Sequence, residues 1–190
     1  MAEPVSGTTA EPPVAEAPAA AKMKSEEEEK GMRVMVAVDE SDASLYALSW
    51  TLDHFMAASS APAWLGSLIV VHVQQPFHQY ILPAGAVTVY APAAVTDSMR
   101  KAQEQNTANV LSRAKRICVE RNVTVETLVM DGEPKEMICQ AVELKSVDLI
   151  VVGSRGLGRI KRAFLGSVSD YVAHHAKCPV LIVKPLKEDH

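Results

Sequence analysis

Cysteine is scarce in this 190-residue chain, and the three present, Cys118, Cys139 and Cys178, form no CxxC pair and no metal-ligand spacing. That excludes a disulfide scaffold and a cysteine-built zinc module. An odd, sparse count fits a reducing compartment, and each thiol reads as a small buried apolar group. No apolar run approaches the roughly 20 residues that a membrane span needs. Residues 1–30 lack the apolar stretch of a signal peptide and are too acidic for a typical transit peptide. The expected location is cytoplasmic, with the nucleus also open to the protein. A basic surplus is missing as well. The net charge is −4, and the first thirty residues hold seven acids and three bases, which leaves sixteen of each over residues 31–190. So neutral a remainder argues against a general nucleic-acid binder.

The chain is not uniform. Residues 1–30 hold Pro4, Pro12, Pro13 and Pro18, many alanines and the run Glu26 to Glu29, with almost nothing to build a core. They read as a disordered acidic tail. The rest, about 160 residues, suits one domain with a proper core; its expected extent is 31–187.

Within it, short β-branched runs alternate with helical spacing. Arg33 to Val38 reads as a buried strand that stops at Asp39. Ser41 or Asp42 is placed to cap a helix over about Ala43–Ala57, marked by Leu45, Leu48, Leu52 and Phe55. Leu68 to Val73 is the second strand. Gln74 to Thr96, with Pro76, Pro83 and Pro92, reads as a long loop, and a long helix follows to about Arg121. Val123 to Met130 alternates as a strand should. Pro134 then opens a helix, Asp148 to Val152 forms the fourth strand, Gly166 to His175 a helix, and Val180 to Val183 the fifth strand. The pattern predicts a parallel α/β sheet with helices on both faces. Ligands in such sheets bind beyond the carboxyl ends of the strands, where the strand order reverses. With order 3-2-1-4-5, Asp39 after strand one and the loop after strand four would line one crevice.

That loop carries the chemistry. Between Val151 and Ser169 there is no acidic residue, while Arg155, Arg159, Lys161 and Arg162 all fall there among glycines. Gly166-Ser167-Val168 then opens a helix, whose unpaired N–H groups and dipole attract an anion. The reading is a nucleotide phosphate site. Two common fingerprints are absent. The glycines have P-loop spacing, but Arg159 replaces the lysine and Ile160 the Ser/Thr, and no GxGxxG follows strand one.

What is present is Gly153-x2-Gly156-x9-Gly166-Ser167, followed by CPVLIVKP. With MRVMVAVDESDAS near residue 32 and VVHV in the second strand, this resembles the universal stress protein family of the UspA type, and in particular its plant members. The resemblance spans about Gly31 to Pro185. It implies a Rossmann-like sheet of order 3-2-1-4-5, similar to the adenine nucleotide alpha hydrolases, and an ATP-binding subfamily, with Mg²⁺ accompanying the nucleotide. Carried over, Asp39 meets the ribose and Val73 offers backbone groups to the adenine. Gly153, Ser154, Arg155 and Gly156 wrap ribose and phosphates, and Gly166, Ser167 and Val168 hold the phosphates. Many members have proline two positions before the aspartate; here it is Ala37, whose contact is through backbone and shape. The family also implies a homodimer through the last strand.

Plainer readings stand beside these. Asp39 serves equally as part of a helix cap, the loop cations as a solvated surface, and His72 as a satisfied core or rim histidine. His174 and His175 suit a helix C-terminus. No Ser-His-Asp or Cys-His spacing and no carboxylate couple stands out. Three functions compete: an ATP-dependent stress-response regulator, a slow ATPase or phosphotransferase, and an ATP-independent chaperone-like module. The first is favoured, with at most weak hydrolysis expected.

Overall fold

The computed structural model describes residues 31–55, 65–75, 93–155 and 165–185; the tail, Gly156 and most of the proline-rich loop lie outside these. Among the described residues, strands and helices alternate strictly. They run β1 (Met32–Ala37), α1 (Asp42–Phe55), β2 (Leu65–Gln74), α2 (Ala93–Val119), β3 (Glu126–Asp131), α3 (Pro134–Leu144), β4 (Leu149–Gly153), α4 (Ser167–His175) and β5 (Val180–Val183). Every strand pairing is parallel, in the order β3-β2-β1-β4-β5. This is the Rossmann-like arrangement expected from the sequence.

The central strands are apolar at successive positions because both faces of the sheet are covered. Side chains alternate between the two layers. Val34, Val36, Leu68, Val70 and Val151 pack with Leu45, Leu48 and Leu52 of α1 and with Val110, Ala114 and Cys118 of α2. Met35, Ile69, Val71, Ile150 and Val152 pack with Ile138, Ala141 and Val142 of α3 and with Val172 of α4. A fully buried residue such as Leu48 fixes this arrangement; truncation to alanine costs about 2–5 kcal/mol.

Local signals set the helix ends. Ser41, not Asp42, caps α1: its hydroxyl accepts from the Ser44 N–H at 3.2 Å. Pro134 occupies the first turn of α3. Helices α2 and α3 both stop in a left-handed residue that is not glycine, Asn122 at φ 55° and Ser146 at φ 49°. After α2, Asn122 N–H donates to the Val119 carbonyl and Val123 N–H to that of Cys118. After α3, Ser146 N–H donates to Glu143 and Val147 N–H to Val142. This paired closure satisfies carbonyls that a helix end leaves orphaned. It also moves the start of the third strand. The alternation from Val123 predicts a strand there, but residues 122–123 close α2. Val123 and Val125 pack into the α1/α2 layer, and pairing with β2 begins at Glu126.

Candidate functional site

The strand order reverses at β1, which has β2 on one side and β4 on the other. A cleft of about 840 Å³ opens beyond the carboxyl ends of these strands. That is an ordinary size for a small-molecule site.

One end is formed by the start of α4. Gly166 is the N-cap residue of α4, and no side chain caps the helix. The nearest candidate, the Ser169 hydroxyl, instead faces the carbonyls of Gly166 at 2.9 Å and Ser154 at 3.3 Å. The first N–H groups of α4 are thus left to the cleft, at the positive end of the helix dipole. Arg155 and Ser167 line the same end. Ser154 itself lies behind it. Its N–H donates to the Val183 carbonyl at 2.8 Å and its own carbonyl accepts from Gly166 N–H at 2.9 Å. This residue therefore clasps β4, β5 and the start of α4 together.

Gly153 has a steric reason to be glycine. A Cβ there would stand 3.0 Å from the Ala43 carbonyl group and 3.1 Å from the Ser44 nitrogen. The missing side chain lets the start of α1 sit directly on the end of β4.

The middle of the cleft belongs to Asp39. Its Oδ1 accepts from the N–H of Ser41 at 3.0 Å and from the Ser41 hydroxyl. Its own N–H donates to the Ser44 hydroxyl at 3.0 Å. Asp39 thus steadies the residue that caps α1 and is itself among the residues that line the cleft. The two sequence readings of this residue are compatible.

The far end lies over β2. Val71, Val73, Pro134 and Ile138 give it an apolar wall. Opposite stands α2, tied to β2 by side-chain amides. Gln74 donates to the Thr107 hydroxyl at 2.7 Å, and Gln103 donates to the Gln75 carbonyl at 2.7 Å. Asn106 donates to the Glu40 carboxylate. His72 is buried at 5% exposure, and its Nδ1 meets the Val38 carbonyl at 2.9 Å.

Of the residues singled out from the sequence, Ala37, Asp39, Val73, Gly153, Arg155, Gly166, Ser167 and Val168 line this one cleft. Ser154 is behind it, and Gly156 lies outside the described residues. Sequence reasoning missed the α2 wall. Gln103, Asn106 and Thr107 share a face by their spacing, but a polar stripe on a long helix reads as solvated. Groups with shifted titration lie away from the cleft. The Arg121 guanidinium, hydrogen-bonded to Asp53, holds that carboxyl below its ordinary range, and burial pushes the Cys118 thiol up to about 11. Among the described residues no three histidines, cysteines or carboxylates cluster to hold a metal ion. A divalent cation on a nucleotide would be carried mainly by the phosphates, with Asp39 and Glu40 as the nearby carboxylates.

Known proteins share both sequence and shape with this chain. The sequence model of the universal stress protein family matches residues 31–184. Universal stress protein YxiE of Bacillus subtilis is 34% identical over 154 residues, covering 80% of this chain and 98% of the relative. A universal stress protein A-like protein of Arabidopsis thaliana is 31% identical over 161 residues, covering 80% and 89%. Among solved structures, a universal stress protein family protein of Arabidopsis thaliana with AMP bound superposes with a TM-score of 0.56 at 28% identity. That match covers 83% of this chain and 94% of the other. A universal stress protein in complex with cAMP gives a TM-score of 0.56 at 25% identity, covering 81% and 97%. On this agreement of family model, relatives and fold, the chain belongs to the universal stress protein family.

Proposed function

We propose that the cleft binds an adenine nucleotide, with MgATP as the working ligand, and that the bound state regulates the protein in a stress response. The uncapped N-terminus of α4, opening on the cleft beside Arg155 and Ser167, carries the reading. Such an end offers N–H donors and positive potential to a phosphate. Asp39 is placed to accept from ribose hydroxyls, and the apolar wall of Val73, Pro134 and Ile138 to pack on a base. The two related structures that hold AMP and cAMP point to the same ligand class. ATP adds phosphates that the segment after Arg155, rich in glycine and base, is suited to meet. Among the described residues no acid–base pair is placed in the cleft, and the nucleotide is taken as a ligand rather than a substrate. The test is to purify the protein, denature it and identify any nucleotide released, then to titrate the stripped protein with ATP and AMP. Nucleotide-free protein that also fails to bind either at 100 μM would end the proposal.

The same reading includes a homodimer. Strand β5 is a sheet edge, with Val180, Leu181 and Ile182 half-buried. An open apolar edge invites a second copy in twofold pairing. Wild-type protein should sediment as a dimer at tens of micromolar and Leu181→Lys should shift it toward monomer. A wild-type monomer with and without ATP would refute the assembly.

A further inference from the structure

The three thiols of the chain do not share one environment. Cys118 is fully buried in the layer where α1 and α2 cover the sheet. Cys139 on α3 and Cys178 before β5 are half-buried on the other face, packed against the core group that includes Val142 and Val172. The sheet stands between Cys118 and these two. Local contacts bring Cys139 and Cys178 toward one another. Helices α3 and α4 pack together. Glu143, one turn after Cys139 on α3, pairs with Lys177 at 3.0 Å, and Cys178 is the next residue. Residues four apart share a helix face, so the face of α3 that meets Lys177 carries Cys139 as well. Cys178 lies in the bend between α4 and β5, outside helix and strand. Burial, then the charges of Glu143 and of Cys178, hold the Cys139 thiol above its ordinary value, and burial raises Cys178 too.

We infer that Cys139 and Cys178 are a redox modification site, joined by a hydroperoxide into a reversible disulfide that clips α3 to the entry of β5. One thiolate attacks hydrogen peroxide, takes an oxygen as sulfenic acid and releases hydroxide, which picks up a proton to become water. The second thiolate attacks that sulfur and forms the S–S bond. The hydroxide it displaces takes up a proton and becomes a second water. Two thiols thus lose two electrons and two protons, and one peroxide becomes two waters. Both thiols are kept protonated by burial, so the pair reacts slowly and closes only under sustained oxidant. The loop so closed, residues 140–177, contains β4 and α4. The link joins the helix that gives the cleft Pro134 and Ile138 to the strand at the sheet edge, whatever the cleft holds.

The experiment treats reduced full-length protein with hydrogen peroxide, alkylates the remaining thiols after denaturation and maps the peptides by mass spectrometry without reductant. The expected product is a peptide pair joined through Cys139 and Cys178, with Cys118 recovered as an alkylated thiol. The linked protein should melt higher than the reduced protein by several degrees, on the order of 5–10 °C for a loop of this length in a domain of this size. A dithiol reductant should restore the original melt. Cys139→Ser and Cys178→Ser each remove one sulfur, and each should lose both the linked peptide and the rise; the map of the wild type stands by itself should either variant fold poorly. Wild-type thiols recovered free, or oxidised singly without a link, would overturn the inference. A disulfide between two copies in place of the internal one would do the same, since the thiols would then face outward. A linked wild type that melts no higher, or a rise that persists in both serine variants, would refute the clip.

Discussion

Gly166→Asp should produce two effects of opposite sign. Gly166 holds the N-cap of α4 in extended backbone, φ −67° and ψ 152°. Aspartate is favoured at that position, where its carboxylate accepts from the N–H two or three residues on. Replacing a glycine cap gains a few tenths of a kcal/mol, and the helix dipole adds roughly 0.3–1 kcal/mol. At about 2–4 °C per kcal/mol for a domain of this size, the nucleotide-free protein should melt roughly 1–4 °C higher. The same carboxylate faces the proposed phosphate. Two unit charges ~4 Å apart repel by about 4 kcal/mol at an effective dielectric near 20. The mouth of the cleft is open to water, so about half of that is reasonable, or roughly thirtyfold in affinity. The aspartate also occupies N–H groups that would otherwise meet the ligand. Calorimetry with ATP and a thermal melt of the stripped protein read the two effects separately. A raised melting temperature with unchanged affinity would refute the placement of phosphate at α4. A lowered melting temperature would refute the capping argument.

Three further perturbations test the frame around the site. Gly153→Ala forces a Cβ to within 3.0 Å of the Ala43 backbone; overpacking of about 1–3 kcal/mol, partly offset by chain entropy, should lower the melting temperature by several degrees. An unchanged melt would mean that the start of α1 yields freely. Ser146→Gly releases a left-handed φ of 49° and should stabilise the fold by roughly 0.5–1 kcal/mol in urea unfolding; a loss of stability would contradict the strain. Asp53→Asn removes the partner of Arg121, whose guanidinium keeps the Asp53 carboxyl below its ordinary value of 3.8. A lowered folded value contributes fully above the ordinary carboxylate range and is lost as the pH falls through it. The Asp53 side chain is 53% exposed, so the deficit at pH 7 should be only about 0.5 kcal/mol and should vanish near pH 2. A deficit constant across that range would exclude the ion pair as its origin.

Much of this was legible in the sequence because the signals are local. The runs Arg33–Val38 and Leu149–Val152 are apolar on both faces, and only a covered parallel sheet accommodates that. Glycine, serine and base between β4 and α4 mark one region by chemistry alone, and Gly153, Arg155, Gly166 and Ser167 do line one cleft. The misses are equally physical. Val123 and Val125 alternate like strand residues, yet the preceding turn at Asn122 claims the backbone, a competition that no periodicity reveals. His72 reads as a core or rim histidine, and it is buried, while its partner, the Val38 carbonyl, is known only from the fold. Gln103 and Asn106 are missed because the acceptors that tie them to the cleft, at Gln75 and Glu40, lie more than twenty-five residues away in the chain.

The clasp at Ser154 has a consequence for how this cleft can change. One residue holds the end of β5 through its N–H and the entry to α4 through its carbonyl, so the anchors of residues 155–165 are set by the scaffold. Lengthening a loop whose ends are already fixed is cheap: doubling it adds only about 0.6 kcal/mol of closure entropy. Ser154 and Gly166 therefore stay joined whatever length of chain runs between them, and a change in that length leaves the end of β5 and the start of α4 in place.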